Sequence, residues 1–97
     1  MATVEYKGVV LDKERRTVMR GKRQVNIVGK EFDILWVLLG MQGRIVSHTH
    51  LAMNVWGKVR GTDSTMRVHV GRIRRKMGKF SITTVNSYGY AAGEMRP

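Results

Sequence analysis

Apolar and polar positions alternate in three successive rhythms along the chain. From Val4 to Ile27 the apolar residues come in short, β-branched pieces. Val4 to Leu11, Thr17 to Met19 and Arg23 to Ile27 read as strands, with Asp12 to Arg16 and Arg20-Gly21-Lys22 as turns between them. Such short pieces at close spacing predict an antiparallel meander over about 4–27. The rhythm then changes to a helical one. Phe32, Leu35, Trp36 and Leu39 form one stripe, and Ile34, Val37 and Leu38 widen it almost around a helix over about 30–41. A helix that is apolar nearly all round belongs at the centre of a core. Met41-Gln42-Gly43 should stop it, with Gly43 as the left-handed cap.

Two further helices follow. Ser47 is a good N-cap for a helix over about 48–56, in which Leu51, Val55 and Trp56 face inward and Gly57 ends the run. After a loop from Lys58 to Thr62, Thr62 or Asp63 should cap a third helix over about 64–77. Its stripe is narrow: Met66, Val70, Ile73 and Met77, spaced i, i+4, i+7, i+11. The opposite side carries Val68, Gly71, Arg72 and Arg75, with Arg67 and Arg74 on one shoulder. Phe80 to Val85 and Tyr88 to Ala92 are strands turned at Asn86-Ser87, a hairpin over about 80–92. Tyr88 and Tyr90 alternate with Gly89 and read as packing this hairpin onto the third helix. Phe32, Trp36 and the methionines read as core, and Gly93 to Pro97 as a frayed tail.

Charge changes the picture. The 97 residues carry eighteen Lys and Arg against seven Asp and Glu, a net of +11. Residues 1–33 hold a net of +3 and residues 34–97 a net of +8, with Asp63 and Glu94 the only acids of the second part. No fold needs such an excess, because it repels itself; a polyanionic partner accounts for it through phosphate contacts. Anionic membrane would want Trp, Phe and Leu exposed opposite lysines. Here the excess is arginine-rich and the apolar stripe narrow, which favours nucleic acid.

The order of elements, a sheet, three helices and a terminal hairpin, is that of an α+β winged helix-turn-helix, here one domain over 1–97. Five pieces carry a closer resemblance: Lys30-Glu31-Phe32-Asp33-Ile34-Leu35; Gly43-Arg44-Ile45-Val46-Ser47 with Leu51; Val55-Trp56-Gly57; Val68-His69-Val70 with Arg72 to Met77; and Ile82-Thr83-Thr84-Val85 leading to Tyr88-Gly89-Tyr90. In this order and spacing they resemble the OmpR/PhoB family of response-regulator DNA-binding domains, from about Leu11 to Ala92.

The resemblance implies a four-stranded N-terminal sheet, a three-helix core and a C-terminal wing, serving sequence-specific binding to double-stranded DNA in a two-component transcriptional regulator. The third helix would enter the major groove through Arg67, Val68, Gly71 and Arg72. Ser64, Thr65, His69 and Arg74 match positions near phosphates, as does the indole of Trp56. Arg75 and Lys79 join them as phosphate candidates by charge and place. Thr84, Asn86 and Ser87 would form the wing contact at the minor groove. The loop with Lys58 and Arg60 matches one that can touch RNA polymerase, and the family suggests homodimers on direct-repeat sites. The chain also departs from the family pattern. Val28 replaces the hydroxyl of a capping box with Glu31, and Arg67 stands where Asp is common. Gly71 replaces a commonly basic residue, Asn86 the wing arginine and Ser87 the following glycine. No receiver domain lies within these residues.

Arg67 and Arg72 suit guanine, whose O6 and N7 accept two parallel N–H groups. For His69, a packed structural histidine stands beside the phosphate donor, and for Thr84 plain strand propensity stands beside a wing contact. His48 and His50, two apart on a helix, point to different faces, so neither a metal nor another cofactor is expected. Nucleophile, paired-carboxylate and phosphate-loop patterns are missing, which argues against an enzyme. With no apolar run of ~20 residues and no export signal, the expected compartment is the cytoplasm and no membrane contact is expected. Two other readings use the same charge or fold: a nonspecific nucleic-acid-binding or architectural protein, and a winged helix that binds protein.

Overall fold

In the computed structural model, which describes residues 2–95, the N-terminal meander has four strands: β1 (Thr3–Tyr6), β2 (Val9–Asp12), β3 (Thr17–Arg20) and β4 (Arg23–Val25), paired in that order and antiparallel. The stretch from Val4 to Leu11, expected as one strand, is therefore a hairpin. Tyr6 pairs with Val9 across the two-residue turn Lys7-Gly8, both at positive φ (48° and 84°). That double left-handed turn matches the twist of the flanking strands, but Lys at its first position disguises it in the sequence. The Asp12 carboxylate holds the next turn by accepting from the amides of Glu14 and Arg15.

The inner face of the sheet, with Tyr6, Val9, Leu11 and Val18 buried, covers α1 (Lys30–Gly40). On its other sides α1 meets α2 (His48–Trp56), α3 (Asp63–Met77) and the final strand, so Phe32, Ile34, Leu35, Leu38 and Leu39 are all buried. Val28 supplies no hydroxyl to cap α1, yet Glu31 Oε1 accepts from the Val28 amide at 3.3 Å, which keeps the acid half of a capping box. At the other end the left-handed turn begins one residue earlier than expected, at Gln42 (φ 54°), before Gly43 (φ 88°). The Gln42 side-chain amide donates to the carbonyls of Leu39 and Glu5, both at 2.9 Å. Those bonds offset the backbone cost of a non-glycine there.

Ser47 caps α2 by accepting from the His50 amide at 3.0 Å, and Gly57 closes it at φ 72°. α3 buries Met66, Val70, Ile73 and Met77, the full expected stripe. Its N-cap residue Thr62 does not cap: the hydroxyl donates to the Val59 carbonyl instead.

The terminal hairpin, β6 (Ile82–Val85) and β7 (Gly89–Ala92), gains a third strand, β5 (Val46–Ser47), on the β7 edge. A Cβ on Gly89 would collide with the Val46 carbonyl, so only glycine lets β5 approach. The two tyrosines separate: Tyr90 is buried, whereas Tyr88 sits in the turn and is exposed. Met53 is likewise exposed, because it lies on the outer side of α2. The tail is not frayed as far as Met95, which is buried after Gly93 and Glu94 extend the pairing to Ser81 and Phe80. Arg96 and Pro97, and Met1 among the methionines expected in the core, lie outside the described residues.

Candidate nucleic-acid interface

α3 is held from behind by side chains of three other elements. At its C-terminal end Arg20 Nη1 donates to the Met77 carbonyl at 2.8 Å, a cation placed on the negative end of the helix dipole. One residue back, Lys76 Nζ reaches the buried Glu31 carboxylate of α1 at 2.8 Å. The Arg74 guanidinium donates to the Ile82 carbonyl through Nε (3.0 Å) and Nη2 (2.7 Å), and Nη2 also reaches Thr84 Oγ1 at 2.8 Å. Helix and wing are thereby fixed relative to each other. Of the phosphate candidates, Arg74 spends most of its donors inside the protein, and Thr84 is its acceptor.

Arg67, Val68, Arg72 and Arg75 are exposed on the outward face, with Gly71 half-buried among them. None of the three arginines has a hydrogen bond or ion pair among the described residues. From Arg67 to Arg75 this face rises about 12 Å along the helix, comparable to the width of the DNA major groove. A Cβ on Gly71 would meet nothing within 4 Å, so the fold itself does not require a glycine there.

At the N-terminal end of α3 an open cleft is lined by Ser47, His48 and Thr49 from β5 and α2, Asp63 and Arg67 from α3, and Thr84, Ser87 and Tyr88 from the wing. The His48 amide donates to the Tyr88 carbonyl at 2.7 Å, which closes one side of the cleft. Ser64 is exposed and Thr65 half-buried in the first turn of α3, whose leading amides have no partner within the helix. Asn86 and Ser87 are exposed at the tip of the wing.

His69 contacts Trp56 edge to face, with ring centroids 5.8 Å apart, and its Nδ1 lies 2.8 Å from the Thr65 carbonyl. A carbonyl only accepts, so Nδ1 carries the proton, and a neutral His69 then has none on Nε2. His69 is thus packed and hydrogen-bonded within the protein. The Trp56 indole N–H has no partner among the described residues. Lys79 lies beyond the end of α3, its Nζ 5.1 Å over the exposed Phe80 ring. Lys58 and Arg60 are exposed on the loop between α2 and α3.

Sequence reasoning alone misses His48, Thr49 and Asp63 as parts of the cleft. The Ser47 cap is the available signal, since it fixes where α2 begins, but not that this end meets the start of α3. His48 reaches across to Thr62 and Asp63 while His50 is exposed, and the described residues include no cluster of three side chains able to hold a metal ion. No helix among them is long and apolar enough to cross a membrane.

Residues 21–92 match the family described as "Transcriptional regulatory protein, C terminal". The chain is 34% identical over 93 residues to the response regulator SaeR of Staphylococcus epidermidis, covering 90% of this chain and 41% of that protein. It is 37% identical over 91 residues to the transcriptional regulatory protein CutR of Streptomyces coelicolor, with 90% and 41% covered. It thus spans about two fifths of the length of these curated relatives. Among solved structures it resembles the DNA-binding domain of CpxR from E. coli, at TM-score 0.83 and 25% identity over 99% of this chain and all of that one. The Klebsiella pneumoniae RstA DNA-binding domain, solved in complex with the RstA box, aligns at TM-score 0.82 and 28% identity over 96% of this chain and 98% of that one.

Proposed function

The chain belongs to the family of C-terminal domains of transcriptional regulatory proteins, of the OmpR/PhoB response-regulator type, and on that premise we propose that it binds double-stranded DNA sequence-specifically as a single effector domain. One observation carries the reading: Arg67, Arg72 and Arg75 are exposed without internal partners on the outward face of a helix whose other cations, Arg74 and Lys76, are engaged. In this reading α3 lies in the major groove. Arg67 and Arg72 take guanine edges, Val68 meets a thymine methyl, and Gly71 lets the helix backbone approach the bases. Ser64, Thr65, Arg75, the Trp56 indole and the remaining Nη1 of Arg74 meet phosphates that fix the register, with Lys79 and a protonated His69 at the margin. The wing, through Thr84, Asn86 and Ser87, touches the adjacent minor groove with an amide where an arginine would have brought charge.

Outside the recognition helix and the wing, the exposed loop with Lys58 and Arg60 suits RNA polymerase. Two copies bind as a homodimer on direct repeats, and the domain works in the cytoplasm without catalysing a reaction.

Selection from random-sequence duplexes tests the reading. One enriched sequence should survive an excess of scrambled duplex and of RNA at fixed salt, because only specific readout withstands that competition. Equal competition by scrambled duplex would leave a nonspecific binder, and retention by RNA alone would move the partner to RNA.

A further inference from the structure

The first residues of α2 and α3 meet through a side chain that the DNA-binding reading leaves without a role. His48 Nε2 lies 2.9 Å from Asp63 Oδ1 and 3.1 Å from Thr62 Oγ1. The Thr62 hydroxyl donates its own proton to the Val59 carbonyl, and the carboxylate can only accept, so Nε2 carries a proton shared between two acceptors. The Asp63 side chain is 75% exposed and stands one helical turn ahead of Arg67, the spacing at which an Asp and an Arg pair on a helix. Both residues line the same cleft, together with Thr84 and Ser87. Even so, Asp63 and Arg67 form no ion pair: the carboxylate turns to His48.

We propose that His48 is a positioning residue that holds the Asp63 carboxylate against the start of α2 and so keeps the Arg67 guanidinium unpaired for DNA. The inference rests on the base-reading role given to Arg67 above. An arginine already paired with a carboxylate must give up that partner before it can present two N–H groups to a guanine. Asp63 released from His48 has Arg67 within reach and competes with the base for the same donors. His48 thus acts on recognition without touching a base.

Fluorescence-anisotropy titration of the duplex recovered by selection, at one salt concentration and with thermal unfolding of every variant, tests this. His48→Ala should weaken binding about two- to threefold, the scale of a partly exposed Asp–Arg pair on a helix. His48→Gln retains an N–H at similar reach and should bind as the wild type does. Asp63→Asn alone should change little, and His48→Ala combined with Asp63→Asn should return to the Asp63→Asn value. In an Arg67→Ala background His48→Ala should have no effect. A double variant as weak as His48→Ala would overturn the inference alone, making His48 a phosphate contact or a support of the fold. A wild-type domain that did not prefer the duplex over its scrambled form would overturn the base-reading role, and this inference with it.

Discussion

The sheet side of the molecule and the α3 side are both rich in cations, and each ties some of them into the fold while leaving others untied. Beside the sheet, Arg15, Lys22 and Arg23 are without a side-chain hydrogen bond or ion pair among the described residues. Around the sheet and α1, Arg16 pairs with Asp33 at 2.8 Å, donates to the Gly29 carbonyl and covers the Phe32 ring. Arg20 reaches across to the end of α3, and Lys30 donates to the Val55 carbonyl near the end of α2. These charges act as ties between elements. On α3 the division runs along a single helix: Arg74 and Lys76 are ties, whereas Arg67, Arg72 and Arg75 have no partner among the described residues. A net charge of +11 is therefore two properties added together. Only the unpartnered share is available to a polyanion without unmaking the fold.

Substitutions on each side of that division should separate the two uses. The largest effect is expected from Arg72→Ala, which should cost about 1–3 kcal/mol of discrimination between the selected duplex and a scrambled one, with unfolding unchanged. Anisotropy titrations on both duplexes measure it. Equal weakening on both would make Arg72 a phosphate contact and move the base-reading face elsewhere.

Arg74→Ala, two residues away, should act first on the fold and, through the lost phosphate contact of Nη1, weaken the selected and scrambled duplexes alike. It strips the donors from the Ile82 carbonyl, whose residue is buried, and should destabilise the fold by about 1–3 kcal/mol. Urea unfolding reads this directly. An unchanged midpoint beside weakened DNA binding would put Arg74 on the same side as Arg72.

The smallest change is Gly71→Ala. Since the new methyl meets no neighbour and φ there is not positive, helix propensity alone should stabilise the domain by up to ~1 kcal/mol. Any loss of affinity for the selected duplex would then arise at the DNA. A lower melting temperature would show that the fold, and not the interface, needs the glycine.

Much of the fold is legible along the chain itself. The stripe of Met66, Val70, Ile73 and Met77 names the buried face of α3, and Ser47 and Gly57 mark both ends of α2, because periodicity and caps are local properties. Local misreadings have local causes. The Lys7-Gly8 turn hides inside an alternating run, and Gln42 takes a left-handed conformation that its own side chain compensates. Residue type alone sends Met53 and Tyr88 to the interior, although each lies where its element faces outward. The N-terminal meander is legible as three strands by pattern and as four only through family resemblance. Of the interface, the exposed face of α3 follows from the stripe opposite it, whereas the cleft between α2, α3 and the wing does not.

What sequence by itself determined is which residues are apolar, which are charged and which elements they form, since those follow from spacing along one chain. Which cations are free was decided by tertiary structure alone. Arg74 finds the Ile82 carbonyl eight residues away, Lys76 finds Glu31 forty-five residues away, and Arg20 finds Met77 fifty-seven away. The physical reason is that a carbonyl or carboxylate acts on a guanidinium over a few ångströms. Only the folded chain fixes which groups come that near. The same holds for His48 and Asp63, fifteen residues apart in sequence and 2.9 Å apart in space.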